Sequence, residues 1–109
     1  NKNYELIVIN YEFIIQGDKM FRLWGKIVKK NNITQNYVFE IEKKDASFEA
    51  LLTKGIEDLC NRFDIGNPMW LSDNEIDMNR LNKTRFKSHH FVEEIDFDYF
   101  EIEYIPERI

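Results

Sequence analysis

The stretch that decides the fold is residues 47–64, SFEALLTKGIEDLCNRFD. Asp45 or Ser47 can cap a helix here, Gly66 suits the left-handed position after its last turn, and Pro68 prevents it from resuming. We therefore predict one main amphipathic helix that ends near Asp64. Its apolar side is formed by residues that recur at spacings of three and four: Phe48, Leu51, Leu52, Ile56, Leu59, Cys60 and Phe63.

The residues before this helix follow a two-residue period instead, which is typical of strands. Residues 6–15 are apolar on both alternating sides, whereas residues 20–30 and 37–42 carry their apolar side chains mainly on one side. Gly17-Asp18 and Asn31-Asn32 separate these segments, and both pairs are turn signals. The first 42 residues therefore predict a three-strand meander.

The residues after the main helix predict shorter elements. Ser72 and Glu75 have the spacing of a capping box, so we expect a short surface helix to begin there. Thr84 could cap a further helical turn. Residues 95–105 return to the two-residue period of a strand, with a phase slip between Tyr99 and Phe100 that indicates a bulge or a bend.

These elements predict that residues 1–109 form a single α+β domain. Its mainly antiparallel sheet would contain the three-strand meander and a C-terminal strand, with the main helix and one or two short helices on one face. A chain of 109 residues, 43% of them apolar, is long enough for one modest core.

The charge of the chain is divided unevenly between its halves. Residues 1–54 hold nine Lys/Arg and seven Asp/Glu, net +2, and residues 55–109 hold six and thirteen, net −7, which sum to the total of −5. Nucleic-acid binding depends on clustered cations that neutralise phosphates. The acidic balance therefore disfavours a nucleic-acid partner and favours a protein with a basic surface.

No segment predicts export, a membrane span or a cofactor. Apolar runs fall short of the roughly 20 residues that a spanning helix needs, and the first residues lack the features of a signal peptide. Cys60 is the single cysteine, so no disulfide can form within the chain, and we expect a cytoplasmic protein. Phosphate-binding loops, CxxC pairs and dinucleotide fingerprints are absent from the sequence.

The sequence contains one weak candidate for a metal site. His89 and Glu93, or His90 and Glu94, would lie one turn apart if a helix continued through them. No third ligand follows from the spacing. We therefore expect adjacent histidines that are solvated or interact with the helix dipole, rather than a metal centre.

A row of carboxylates along the last predicted strand is a candidate partner surface: Asp96, Asp98, Glu101 and Glu103. These side chains would either stay exposed or pair with cations of the second predicted strand. Trp70 is a second candidate, because tryptophan is enriched at binding hot spots. Cys60 lies on the apolar side of the main helix, where we expect an inert thiol.

The second predicted strand carries a basic side that could contact nucleic acid by stacking and charge. Its members are Arg22, Trp24, Lys26 and Lys30. A tryptophan packed between long lysine side chains is the commoner arrangement, and we expect it here.

Part of the chain resembles a known family. The residues that carry the likeness are Pro68-Met69-Trp70-Leu71, Asn74-Glu75, Asn79-Arg80, Lys83-Thr84-Arg85-Phe86, Phe91 and Glu94-Ile95-Asp96-Phe97-Asp98. With them, the second half of the chain is similar to a group of small uncharacterised proteins from low-GC Gram-positive bacteria. That family has no assigned activity, so the resemblance implies a bacterial, cytosolic origin and no functional residue.

Three hypotheses about function follow. The leading one is a non-enzymatic interaction or regulatory module with an acidic C-terminal face, and homo-oligomerisation stays open. The alternatives are a metal-dependent enzyme that uses the region of His89 and His90, and a nucleic-acid-binding module that uses the basic side of the second strand.

Overall fold

A computed structural model describes residues 19–106, which form four strands, two helices and one short 3-10 turn. In chain order these are β1 (Met20–Lys29), β2 (Asn32–Glu42), α1 (Phe48–Phe63), α2 (Ser72–Leu81), β3 (Lys83–Phe86), the 3-10 turn Ser88–His90 and β4 (Tyr99–Ile105). All strand pairs are antiparallel, and the order across the sheet is β2-β1-β4-β3. The predicted α+β class with an antiparallel sheet is confirmed. None of the described helices is long and apolar enough to cross a membrane.

A tight turn joins β1 to β2. Lys30 and Asn31 both have positive φ, 51° and 67°, which is the geometry that matches the twist of a two-residue hairpin. Asn32 already belongs to β2. In β1 the predicted alternation is confirmed, because Phe21, Leu23 and Ile27 are buried in the core.

Of the predicted three-strand meander, the structure describes the second and third segments, which pair as β1 and β2. From Arg22 to Val28, the other side of β1 pairs with β4. The predicted first strand, residues 6–15, lies outside the described residues.

α1 begins and ends close to the predicted residues. The Ser47 hydroxyl accepts a hydrogen bond from the Ala50 amide at 3.1 Å and caps the first turn. The left-handed residue after the last turn is Asp64, with φ 57°, and not Gly66 as expected. The sequence pattern favoured glycine at that position, but a short polar side chain can also adopt it.

The inner side of α1 packs closely on the sheet because each of the two contributes a glycine to the contact. A Cβ on Gly25 of β1 would lie 2.8 Å from a methyl carbon of Leu59, and one on Gly55 of α1 would lie 2.9 Å from Leu23. The expected burial of Leu52, Leu59 and Phe63 is confirmed. Phe48 differs, because it lies at the start of the helix with its ring 42% exposed.

The predicted capping box of α2 is wrong. The N-cap residue is Leu71, whose amide donates a hydrogen bond to the side chain of Asn74 at 2.8 Å. Asn74 is fully buried and also donates to the Thr84 hydroxyl at 2.9 Å. The Glu75 side chain instead accepts from Trp70, so a tertiary contact replaces the local one.

Two expectations about the last third of the chain are also wrong. Thr84 does not cap a helical turn but lies in β3, which pairs with β4. β4 begins at Tyr99 rather than at residue 95, so the apparent phase slip is the place where the strand starts. Within β4 the phase is regular, because Phe100 and Ile102 face the core and Glu101 lies between them on the opposite side of the sheet.

Candidate functional site

An open cleft of about 680 Å³, here called the α1–α2 cleft, lies between the two helices. On α1 it is lined by an apolar row of residues four apart, Phe48, Leu52 and Ile56, and by a neighbouring polar row, Glu49, Thr53 and Glu57. The other lining residues come from α2, β3 and the connection between the helices: Asn67, Pro68, Trp70, Glu75, Met78, Asn79 and Phe86.

Trp70 is held in position in this cleft. Its ring lies 6.0 Å from the ring of Phe86, centre to centre, and its Nε1–H donates a hydrogen bond to the Glu75 carboxylate at 2.9 Å. The side chain nevertheless remains 37% exposed. A fixed, half-exposed indole is already ordered before any ligand arrives, which lowers the entropic cost of binding.

The electrostatics of the α1–α2 cleft are one-sided. The ionisable residues that line it are Glu49, Glu57 and Glu75, and among the residues that the structure describes no lysine, arginine or histidine lines it. Apolar side chains from the core, including Met78 and Phe86, form its floor. A ligand that fits this surface combines an apolar side with positive charge.

The polar side of the sheet, opposite the helices, brings the predicted basic and acidic rows together. Lys26 Nζ lies 2.9 Å from Glu101 and 3.3 Å from Glu103, and Arg85 Nε lies 2.9 Å from the other oxygen of Glu101. Lys26 also lies over the ring of Trp24, at 3.8 Å from its centre. The cations and carboxylates of this face therefore neutralise each other.

These contacts shift the pKa values of both partners. Burial alone would raise the pKa of Glu101, but hydrogen bonds from Lys26 and Arg85 and their charges outweigh it, so this pKa is lowered. Burial would likewise lower the pKa of Lys26, but Glu101 and Glu103 raise it. Both groups are thus held in their charged forms.

The other members of the two predicted rows are placed as follows. Arg22 lies 2.7 Å from Glu40 of β2. Asp98 accepts a hydrogen bond at 2.8 Å from the backbone N–H of Lys30, and this bond ties the segment before β4 to the β1–β2 turn. Asp96 is exposed and lines a different cleft.

The two histidines meet a residue that the sequence analysis did not include. Asp73 lies 3.2 Å from Nε2 of His90 and 3.8 Å from Nε2 of His89, and one ligand atom of each lies within 4.8 Å of the others. Glu93 and Glu94 do not join this group, because residues 91–98 form no helix. Both side chains line the same cleft as Asp96 instead.

The hydrogen bonds of His90 do not suit a metal ligand. Its Nδ1 accepts a hydrogen bond from the Lys87 amide at 2.9 Å, so the ring proton is on Nε2, which faces Asp73. A metal on Nε2 would displace that proton, whereas metal-binding histidines normally donate their second ring N–H to an acceptor. The group fits a structural link between α2 and the 3-10 turn better than a metal site.

The expectation of solvated histidines is half wrong. His90 is fully buried, with its ring against the edge of Phe86, whereas His89 is exposed. Desolvation opposes ionisation of Asp73, but the hydrogen bond from His90 and the amides at the start of α2 outweigh it and lower the pKa of Asp73.

Cys60 has no access to solvent that would support chemistry. It lies on the core side of α1 and is buried there, and burial together with the charge of Glu57 raises the pKa of its thiol to about 12. A thiol in this state is a poor nucleophile.

The sequence analysis did not predict the three carboxylates that line the α1–α2 cleft. It left Glu49 and Glu57 outside the apolar side of the main helix, and it assigned Glu75 to a capping box. One signal was available: Glu49, Thr53 and Glu57 recur every four residues directly beside the row of Phe48.

Comparison with known proteins found no match to any family model, to any curated protein or to any solved structure. The resemblance carried by residues 68–98 therefore stays a prediction. The function has to be argued from the geometry of the chain itself.

Proposed function

We propose that this protein is a non-enzymatic interaction module that binds a basic, partly apolar segment of a partner protein in the α1–α2 cleft. The observation that supports the proposal is the combination of an apolar floor with ionisable lining residues that are all carboxylates. Trp70 would anchor the segment, since half-exposed tryptophans in pockets are frequent hot spots. Glu49 and Glu57 would steer its positive charge into the cleft.

Charge argues against other occupants of this cleft. A second copy of the chain carries a net charge of −5, and residues 1–18 of the same chain hold one lysine against three carboxylates. The carboxylates of this cleft would also repel nucleic acids and anionic lipid surfaces. A cationic protein segment is the occupant that these charges favour.

The two alternative functions have less support. A metal-dependent enzyme would need His90 as a ligand, and the hydrogen bond from Lys87 opposes that role. A nucleic-acid module would need the cations of β1 to be available, and Lys26 is engaged by Glu101 and Glu103. The proposal includes a cytoplasmic setting, which the single, buried cysteine supports.

The proposal is tested with a fluorescein-labelled synthetic peptide of about 15 residues in which leucine and lysine alternate at helical spacing. Fluorescence anisotropy gives its affinity for the wild type and for variants. Trp70→Ala is expected to weaken binding at least about 30-fold, since truncation of a hot-spot side chain costs about 2 kcal/mol or more.

The matched control is Trp24→Ala, which removes the only other tryptophan and lies on the polar side of the sheet. It is expected to change the affinity less than about twofold, within the usual effect of a substitution outside an interface. Thermal melts of both variants check that each remains folded. Equal losses for the two substitutions, or no binding by the wild type, would contradict the proposal.

A further inference from the structure

A second cleft of about 680 Å³ lies beyond the end of α1, between residues 64–67 and 91–97. Its floor is apolar: Ile65, Ile95 and Phe97 pack against the core, and Phe91 is buried. Val92, at its lip, is 88% exposed. We call this surface the loop cleft.

The charge of the loop cleft has the same sign as that of the α1–α2 cleft. Its ionisable lining residues are Asp64, Glu93, Glu94 and Asp96, and within residues 19–106 no cation lines it. The two surfaces together therefore present seven carboxylates, three from the first and four from the second, beside apolar side chains.

The two clefts adjoin, because Asn67 lines both of them. Glu49 belongs to the first cleft and Asp64 to the second, and both lie on α1 or at its end. At 1.5 Å per residue they are about 22 Å apart along the helix. A ligand that spans this distance needs about 15 residues as a helix or about seven as an extended chain.

The carboxylates of the loop cleft do not converge on one ion. In the described part of the chain, the one group of three or more ligands whose atoms lie within 4.8 Å of one another is Asp73, His89 and His90. Dispersed negative charge beside an apolar floor suits several lysine or arginine side chains of one chain, which can reach separate carboxylates.

We infer that a single partner segment occupies both clefts, crossing at Asn67, and that the partner is a basic amphipathic segment with two apolar anchors. This inference rests on the proposed function and extends it from one cleft to two. One anchor contacts Trp70 and Phe48, and the other contacts Val92 and Phe97. Binding at two connected places raises the affinity because the second contact forms within one complex.

The test uses two synthetic peptides of equal length, about 15 residues each. The first peptide has leucine and lysine along its whole length. In the second peptide, the leucines and lysines of one half are replaced by alanine and glutamine. The protein variant is Glu93→Gln with Glu94→Gln, and its charge-matched control is Glu42→Gln with Asp45→Asn, which line neither cleft. Anisotropy gives six affinities, those of the wild type, the variant and the control for each peptide.

The inference predicts that the loop-cleft variant weakens the full peptide about fivefold and the half-replaced peptide less than twofold. The control variant should change both less than twofold. Equal effects of the loop-cleft variant on the two peptides, or no effect on either, would overturn the inference. If Trp70→Ala still weakens peptide binding in that case, the proposed function remains intact. If neither peptide binds the wild type, the proposed function fails and this inference fails with it.

Discussion

The polar side of the sheet and the α1–α2 cleft both carry carboxylates, but only one of them neutralises its own charge. Glu101 lies between Lys26 and Arg85 at 2.9 Å from each, and its side chain is 7% exposed. In the cleft, Glu49, Glu57 and Glu75 face an apolar floor, and no cation from the described part of the chain lines it. The negative charge available to a partner therefore lies on the helical side of the molecule.

The difference shows that the acidity of a segment does not locate an acidic surface. The last strand is rich in carboxylates, yet β1 and β3 bring cations to Glu101 and Glu103 through the order of the strands. The helical carboxylates have no such cationic partner among the described residues that line the cleft. The predictions below test each side of this contrast.

The largest effect is expected at the contact between α1 and the sheet, since the core packed there separates the α1–α2 cleft from the polar side of the sheet. Leu59 is fully buried against Gly25. Leu59→Ala should lower the free energy of unfolding by about 2 to 5 kcal/mol, because it removes buried contacts and leaves a cavity. Denaturant melts measure the change.

A double variant sharpens this test. Gly25→Ala alone should cost about 1 to 3 kcal/mol, since its methyl group would overlap Leu59. In the presence of Leu59→Ala the same methyl group has room, so the combined loss should be smaller than the sum of the two. Additive losses would mean that α1 does not pack on Gly25.

A smaller effect is expected at the histidine pair. His90→Ala should lower the free energy of unfolding by about 2 to 3 kcal/mol, because the substitution removes a fully buried ring and leaves the Lys87 amide without its acceptor. His89→Ala, its exposed neighbour, should cost less than about 0.5 kcal/mol. Calorimetric titration with zinc should show no one-to-one complex, and tight binding that either substitution abolishes would show a metal site instead.

A still smaller effect is expected from Glu101→Gln, about 1 to 2 kcal/mol at neutral pH. The pKa of Glu101 is lowered in the folded state, so the charged form stabilises the fold above its ordinary pKa of 4.5. This contribution is lost as the pH falls through the folded-state pKa. The stabilities of wild type and variant should thus converge below pH 4.5, and a constant difference across this range would disprove the pairing.

Local patterns predicted the elements whose formation depends on local contacts. The helical period and Ser47 located α1, and alternation located β1, because in both cases one side of the element packs on the core. β3 was not predicted, since four residues with no strong period become a strand only by pairing with β4. Cross-strand contacts such as Arg85 with Glu101 hold it there.

The site was less predictable than the fold because it depends on how the helices are positioned. Asn74 fixes α2 through Thr84, and that bond brings Glu75 and Trp70 to the side of α1. Trp70 was predicted as a partner residue from its type alone. That Glu49 and Glu57 line the same cleft as Trp70 follows only from the tertiary structure.

The most direct test is a proton–nitrogen NMR titration of the protein with the basic peptide, because each surface carries one indole N–H. The Trp70 indole donates to Glu75 in the cleft, and the Trp24 indole donates to Asn36 on the sheet. We expect the Trp70 indole resonance to shift with the peptide concentration while the Trp24 resonance remains in place. A shift of Trp24 with an unchanged Trp70 would show that the sheet, and not the cleft, binds the partner.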